Sequence, residues 1–289
     1  MRRLAICLGL VSLMATCLTA CDPPPPPPAG SSTQCRADPW GDPAVNAAWE
    51  PLAAAHHLTA SAFDDRTGCW YHYRPGVRVT TASVLKAEIL AGVELRAQGE
   101  GRGLTPAEVA QVVPMIRVSD NATASRLFSS LGGAGGLSRV GDAFGLGQTD
   151  EIGPVWGLSS TTADDQAGFI ERLVQGPGPL DAAHRASAWF FLKSVHPDQR
   201  WGVPVGAPAG WEVGLKNGFA DSNGTRWRIN SVGYVSDPAG GGYSMAILSD
   251  GWPSMAAGIP VVNAVAARIN GVLSAPAPAP APALESPPS

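Results

Sequence analysis

Lysine is scarce in this chain. Only Lys86, Lys193 and Lys216 occur, against seventeen arginines. Charged residues make up 15% of the sequence, the formal net charge is -4, and no long block of one sign is present. The basic stripe that phosphate binding requires is therefore missing, and a nucleic-acid partner is not expected. The five histidines, His56, His57, His72, His184 and His196, form no His-Glu-x-x-His motif. Neither they nor the cysteines show zinc-like spacing, so no metal or cofactor is expected. The adjacent His56-His57 pair reads as a helix end, where cations suit the dipole. A Gly-x-Ser-x-Gly elbow and a glycine-rich phosphate loop are also absent. The apolar run from Leu4 to Thr19 is short for a membrane span.

What is present first concerns export. Arg2 and Arg3 precede that apolar run, as in a signal peptide. It ends in Leu18-Thr19-Ala20-Cys21, which resembles the lipobox of bacterial lipoproteins, with Cys21 the lipidated residue. The expected location is the cell envelope, with the membrane as a partner through a lipid anchor. Pro23 to Pro28 then make a stiff spacer of roughly 20 Å. From Ser274 an Ala-Pro repeat without apolar periodicity reads as a disordered tail. Cys7 and Cys17 leave with the signal peptide. Cys35 and Cys69 remain as an even pair in an oxidising compartment, which predicts a disulfide. The expected division is a signal peptide over 1–20, anchor and tether over 21–42, a folded region over 43–273 and a tail over 274–289.

Hydrophobic residues, at 45%, suffice for a sizeable core. Asp42-Pro43 opens a helix with apolar residues at helical spacing. Thr59 to Phe63 and Cys69 to Tyr73 alternate around a turn, which predicts a hairpin. From Ala82 to about Val195 the pattern is helical. Pieces begin near Ser83, Thr105, Asp120, Gly136, Thr162 and Asp181. Strands follow at Trp211–Phe219, Trp227–Ser236 and Gly242–Ser249, then a helix from Ile259 to Leu273. This order predicts an α+β fold: a five-stranded antiparallel sheet flanked by terminal helices, with an all-helical lobe inserted after the hairpin. The α/β lobe would comprise 43–82 and 207–273, the helical lobe 83–206. A cleft between the lobes is the expected site. The nine tryptophans read as core and cleft wall, with Trp156 and Trp201 as candidates for the pocket lining.

Three short elements could carry chemistry. In Ser83-Val84-Leu85-Lys86, residues three apart share a helix face, so the amine can reach the hydroxyl. A desolvated lysine can serve as base to a serine nucleophile, and a helix N-terminus favours an oxyanion. Arginine could not take that role, which gives weight to the few lysines retained. Ser119-Asp120-Asn121 reads equally as a helix-capping turn. Lys216-Asn217-Gly218 lies near a strand end.

In this order the three resemble the Ser-x-x-Lys, Ser-Asp-Asn and Lys-Thr-Gly signature of class A β-lactamases and penicillin-binding proteins. Leu131-Gly132-Gly133, Ser160-Thr161-Thr162 and Pro208-Ala209-Gly210-Trp211 extend the likeness over roughly 44–270. The resemblance implies Ser83 as acylated nucleophile and Lys86 as its base. It implies Ser119 as proton relay to the leaving group, and Asn121, Lys216, Asn217 and Gly218 as substrate-binding residues. The backbone N–H groups of Ser83 and Phe219 would form the oxyanion hole.

Three departures stand out. Asn217 replaces the family's Thr or Ser, and only 36 positions separate Ser83 from Ser119. The segment from Gly147 to Ser160 is short, with Asp150 and Glu151 as its only carboxylates. Glu151 is the one candidate there for a displaced deacylation base, and Val155 stands where the resemblance would place the water-holding Asn. The expected function is an envelope serine hydrolase that takes a small-molecule or peptide acyl substrate, a β-lactam or peptidoglycan-type amide or ester. The alternative is a lipoprotein using the same fold as a non-catalytic binding or scaffolding module.

Overall fold

The computed structural model describes residues 34–151, 153, 155–222 and 226–276. The signal segment, Cys21, the proline tether and the tail from 277 lie outside the described residues.

Helix α1 (Pro43–His56) starts where the sequence predicts, with the Asp42 carboxylate accepting from Ala44 N at 2.9 Å and Pro43 in the first turn. Strands β1 (Thr59–Asp64) and β2 (Cys69–Tyr73) form the hairpin. Its turn closes through Gly68, whose φ of 72° is open to glycine without penalty. A two-residue strand β3 (Val79–Thr80) pairs with β4 (Ser160–Thr161) in a small second sheet that alternation does not reveal. A 3-10 turn, Ala82–Leu85, then leads into α2 (Lys86–Gly99).

Ten of the fourteen residues of α2 are buried, which makes it the central helix of the inserted lobe. Around it stand α3 (Pro106–Arg117), α4 (Asn121–Ser130), α5 (Gly133–Phe144) and α7 (Ala182–Lys193). A buried helix must satisfy its own polar groups. Glu94 does so by accepting from Ser187 Oγ at 2.7 Å and pairing with His184 Nδ1 at 2.7 Å.

The main sheet has the order β2-β1-β7-β6-β5, antiparallel throughout, with β5 (Glu212–Ser222), β6 (Arg226–Ser236) and β7 (Gly242–Leu248). The early hairpin therefore completes a sheet begun by strands about 170 residues later. All seven residues of β7 are buried because α6 (Ala163–Val174) and α8 (Met255–Leu273) both pack on it. Helix α8 is long and apolar enough to cross a membrane, yet Val262, Val265, Ala266 and Ile269 bury its stripe in the core. It begins at Met255, one turn before the expected Ile259, because Ser254 caps it through Ala257 N and Pro260 falls inside it.

At the far edge, Cys35 and Cys69 are joined by a disulfide, with Cα atoms 5.7 Å apart. Beside it Asp64, fully buried, pairs with Arg36 and accepts from Arg66 Nε at 2.8 Å. These contacts fasten the start of the folded chain to the hairpin.

Candidate active site

Ser83 lies on the 3-10 turn rather than inside a regular helix, three residues before α2 begins at Lys86. Ala82 just before it has φ 47°, a left-handed conformation that a residue with a Cβ adopts only at a cost. The surroundings hold it there. Thr81 N donates to Ser159 O at 2.8 Å, and the fully buried Asn230 donates from Nδ2 to Thr80 O and Thr81 O at 2.9 and 3.1 Å. Asn230 Oδ1 in turn accepts from Ser249 N at 3.0 Å, which ties the turn to the sheet. Sequence reading missed Asn230. Only its burial in the middle of β6 would have marked it.

Strand β5 presses against this same turn. A Cβ on Gly218 would come within 2.8 Å of Thr81 O and of Val84 N, so only glycine allows the approach. Gly218 thereby sets the backbone of Phe219 beside Ser83, and both residues line one cavity of about 550 Å³. That volume suits a drug-sized or short-peptide ligand.

Lys86 is fully buried. Its Nζ donates to Ser119 O at 2.5 Å, Ser119 Oγ at 2.9 Å and Asn121 Oδ1 at 2.7 Å. Ser119, at φ 59°, is the left-handed link between α3 and α4 that aims its hydroxyl inward. Asp120 spends its carboxylate on the α4 cap, accepting from Thr123 N at 2.7 Å and Thr123 Oγ1 at 2.8 Å. The Ser-Asp-Asn triplet is thus both a capping turn and a site element. With its carboxylate so engaged, Asp120 offsets only part of the desolvation of Lys86, whose amine is lowered to about 8 by burial.

Lys216, also fully buried, donates to the same Ser119 Oγ at 3.1 Å and to Asn217 O at 2.6 Å. Burial, and then the neighbouring Lys86, push its amine well below the usual lysine range. Two buried amines thus converge on one serine hydroxyl. Among the described residues their hydrogen bonds go to oxygens of Ser119, Asn121 and the backbone, and none goes to a carboxylate.

Asn217 does not join them. Adjacent residues on a strand face opposite ways, and its Nδ2 donates to Gln199 O at 2.7 Å and Trp201 O at 3.0 Å. It braces the segment before β5 and does not line the Ser83 cavity. Trp201, expected as a pocket lining, is buried in that segment, whereas Trp156 does line the cavity.

Glu151 is also elsewhere. Its carboxylate accepts from Ser138 Oγ at 3.3 Å on α5 and lies against Glu88 of α2, lining a separate hollow. Glu88, raised to about 8 mainly by burial, accepts from Gln166 Nε2 at 2.8 Å. Asp150 is taken by Arg78 at 2.5 Å. Neither carboxylate of the 147–160 segment therefore faces Ser83. Three polar cavity residues escaped sequence reading: Ser125, one turn beyond Asn121, Asp221 and Arg228. Arg228 pairs with Ala220 across β5 and β6, and its Nε has no hydrogen-bond partner among the described residues.

An antiparallel sheet with a helical lobe inserted after its first hairpin, and a serine-lysine cleft between them, defines the β-lactamase class of fold. The chain belongs to the Beta-lactamase enzyme family, whose model matches residues 94–273. Among solved structures it is similar to a class A β-lactamase from Mycobacterium abscessus, with TM-score 0.66, 22% identity and coverage of 78% of this chain and 97% of that one. A β-lactamase from Burkholderia vietnamiensis gives TM-score 0.68 at 20% identity, covering 80% and 96%. Among curated proteins it is 28% identical over 195 residues to "Putative lipoprotein LppW" of Mycobacterium tuberculosis and of Mycobacterium bovis. The match covers 64% of this chain and 61% of the relatives, so the chain spans about three fifths of the length of these proteins.

Proposed function

We propose that this protein is an envelope-anchored serine hydrolase that forms an acyl-enzyme at Ser83 on an amide or ester, of the β-lactam or peptidoglycan-peptide kind. The carrying observation is the convergence of Lys86 and Lys216 on Ser119 Oγ, with no carboxylate partner among the described residues, next to Asn121, which lines the same cavity as Ser83. Keeping two desolvated amines together opposes folding, and chemistry is the ordinary reason such groups are retained.

In this reading the Ser83 hydroxyl attacks the substrate carbonyl and the neutral Lys86 amine accepts its proton. The oxyanion is met by the N–H groups of Ser83 and Phe219. The proton passes through Ser119 to the leaving amine or alkoxide as its bond to carbon breaks, leaving the Ser83 ester. Lys216, donating to Ser119 Oγ, orients that hydroxyl for the transfer. Arg228, half-buried in the cavity wall with an unpartnered Nε, supports a substrate that carries a carboxylate. Asn217 is turned toward Gln199 and Trp201, which leaves Arg228 as the cavity group suited to that task. Anchoring through Cys21 rests on the lipobox resemblance and on the lipoprotein name of the relatives.

The test is the intact mass of the folded region after incubation with penicillin and with a fluorophosphonate, alongside Ser83→Ala. An adduct on the wild type that is absent from the variant is expected. No adduct from either probe would leave the fold as a binding module.

A further inference from the structure

The segment that holds Asp150 and Glu151 away from the cleft puts an indole there instead. Trp156 begins a 3-10 turn, Trp156–Leu158, packed on the turn that bears Ser83. Its ring centroid is 5.2 Å from Lys86 Nζ, and its Nε1 donates to Ser125 Oγ at 3.2 Å. Backbone bonds fix the turn: Leu158 N donates to Val155 O at 2.9 Å and Ser159 N to Trp156 O at 3.1 Å. Val155 and Leu158, 54% and 45% exposed, continue the apolar surface at the cavity mouth.

Hydrolysis of a Ser83 ester needs a water near the ester carbon and a base to take its proton. Among the described residues two bases are candidates for that proton: Lys86, bonded to the cavity residue Asn121, and Asp221, an exposed carboxylate on β5 that lines the cavity. Over Lys86 stands the indole. Its π face favours the charged form of the amine, and its bulk takes room that a Lys86-bound water would need.

We infer that Trp156 sets the lifetime of the Ser83 acyl-enzyme by keeping water from Lys86, so that the acyl group persists long enough to meet an acceptor other than water. This rests on the acyl-enzyme reading above. In the step it suppresses, water oxygen bonds to the ester carbon while neutral Lys86 takes one of its protons. The Ser83 C–O bond then breaks, Ser83 Oγ recovers that proton, and the free acid leaves. Trp156 neither gains nor loses a proton, so it is a positioning residue.

The experiment follows formation and decay of the penicillin adduct by intact mass for wild type, Trp156→Ala, Trp156→Phe and Ser125→Ala, with Ser83→Ala as blank. A shield predicts a split. Acylation of Trp156→Ala stays within a few-fold of wild type while decay accelerates about tenfold or more. Trp156→Phe, which keeps an apolar ring, retains slow decay. Ser125→Ala, which only frees the indole, speeds decay by about two- to threefold, and this variant carries the test should Trp156→Ala not fold. Adduct lifetimes unchanged across the folded variants, or acylation and decay slowed together, would overturn the inference and leave the acyl-enzyme reading intact. Absence of any wild-type adduct would instead overturn both.

Discussion

Two buried clusters of charge in this molecule are built on opposite rules. At the turn of the hairpin, Asp64 is shared by Arg36 and Arg66, and Arg66 also reaches Asp237 at 2.9 Å. The Arg66 guanidinium further lies over the rings of Trp211 and Tyr243, 5.4 and 5.3 Å from their centroids. Two cations meet two carboxylates, so burial there leaves no charge exposed to a low dielectric. In the cleft, two lysines meet a serine, an asparagine and backbone carbonyls. Removing charged amines from water without counter-charges favours their neutral forms. The first cluster fastens the chain, and the second lowers both amines below the usual lysine range.

Four substitutions or titrations separate these roles. The largest effect falls on Lys86. Lys86→Met removes the proposed base and is expected to slow adduct formation about a hundredfold to ten-thousandfold. Lys86→Arg gives no rescue, since arginine does not deprotonate. Acylation at the wild-type rate in either variant would end the role assigned to Lys86. Next comes Asp64→Ala, which strands two guanidinium groups and costs about 3–5 kcal/mol in denaturant unfolding, with acylation by the folded fraction unchanged. A loss below about 1 kcal/mol would show the hairpin cluster to be solvated.

Lys216→Met sharpens the contrast further. An apolar chain of similar length in place of an unpaired buried amine should leave stability unchanged or raise it by about 1 kcal/mol, while acylation slows. Destabilisation as large as that of Asp64→Ala would erase the distinction between the clusters.

The smallest effect is a titration. The Lys86 amine, lowered from 10.5 to about 8, is neutral above that pH. Acylation should therefore rise with pH and level off above about 8. The stability sign agrees: the unfolded state binds the extra proton between about 8 and 10.5, so the cost of burying Lys86 is full below 8 and declines through that window. A pH–acylation profile flat from 6 to 9 would count against Lys86 as base.

Much of the fold was legible because strong local signals coincided with tertiary demands. The Asp42-Pro43 cap, the alternation in β2 and the apolar stripe of the last helix each survive packing, whereas β1 is buried on both faces. The β3–β4 pair was not legible, since two residues carry no period. Motif spacing singled out Ser83, Lys86, Ser119, Asn121 and Lys216 as candidates, and the fold brings them near one another. Asn217 was assigned with its neighbours in the triplet, yet strand geometry turns it away from Lys216. Glu151 was weighed as a loop carboxylate, whereas the fold tucks it against Ser138 and Glu88. Arg228 and Asn230 had no motif at all. Their roles come from lying across β6 from β5 and beneath the Ser83 turn.

The sequence by itself determined which residue types are available for chemistry and in what order: a serine three before a lysine, a capping triplet, and a lysine ahead of an obligatory glycine. It also determined where several helices and strands begin, because caps and apolar periodicity act over a few residues. Only the tertiary structure decided that two lysines would share one hydroxyl, that an indole and not a carboxylate would stand over Lys86, and that Asn217 would face the core. Those outcomes depend on desolvation and on contacts between segments up to about a hundred residues apart, which no local pattern encodes.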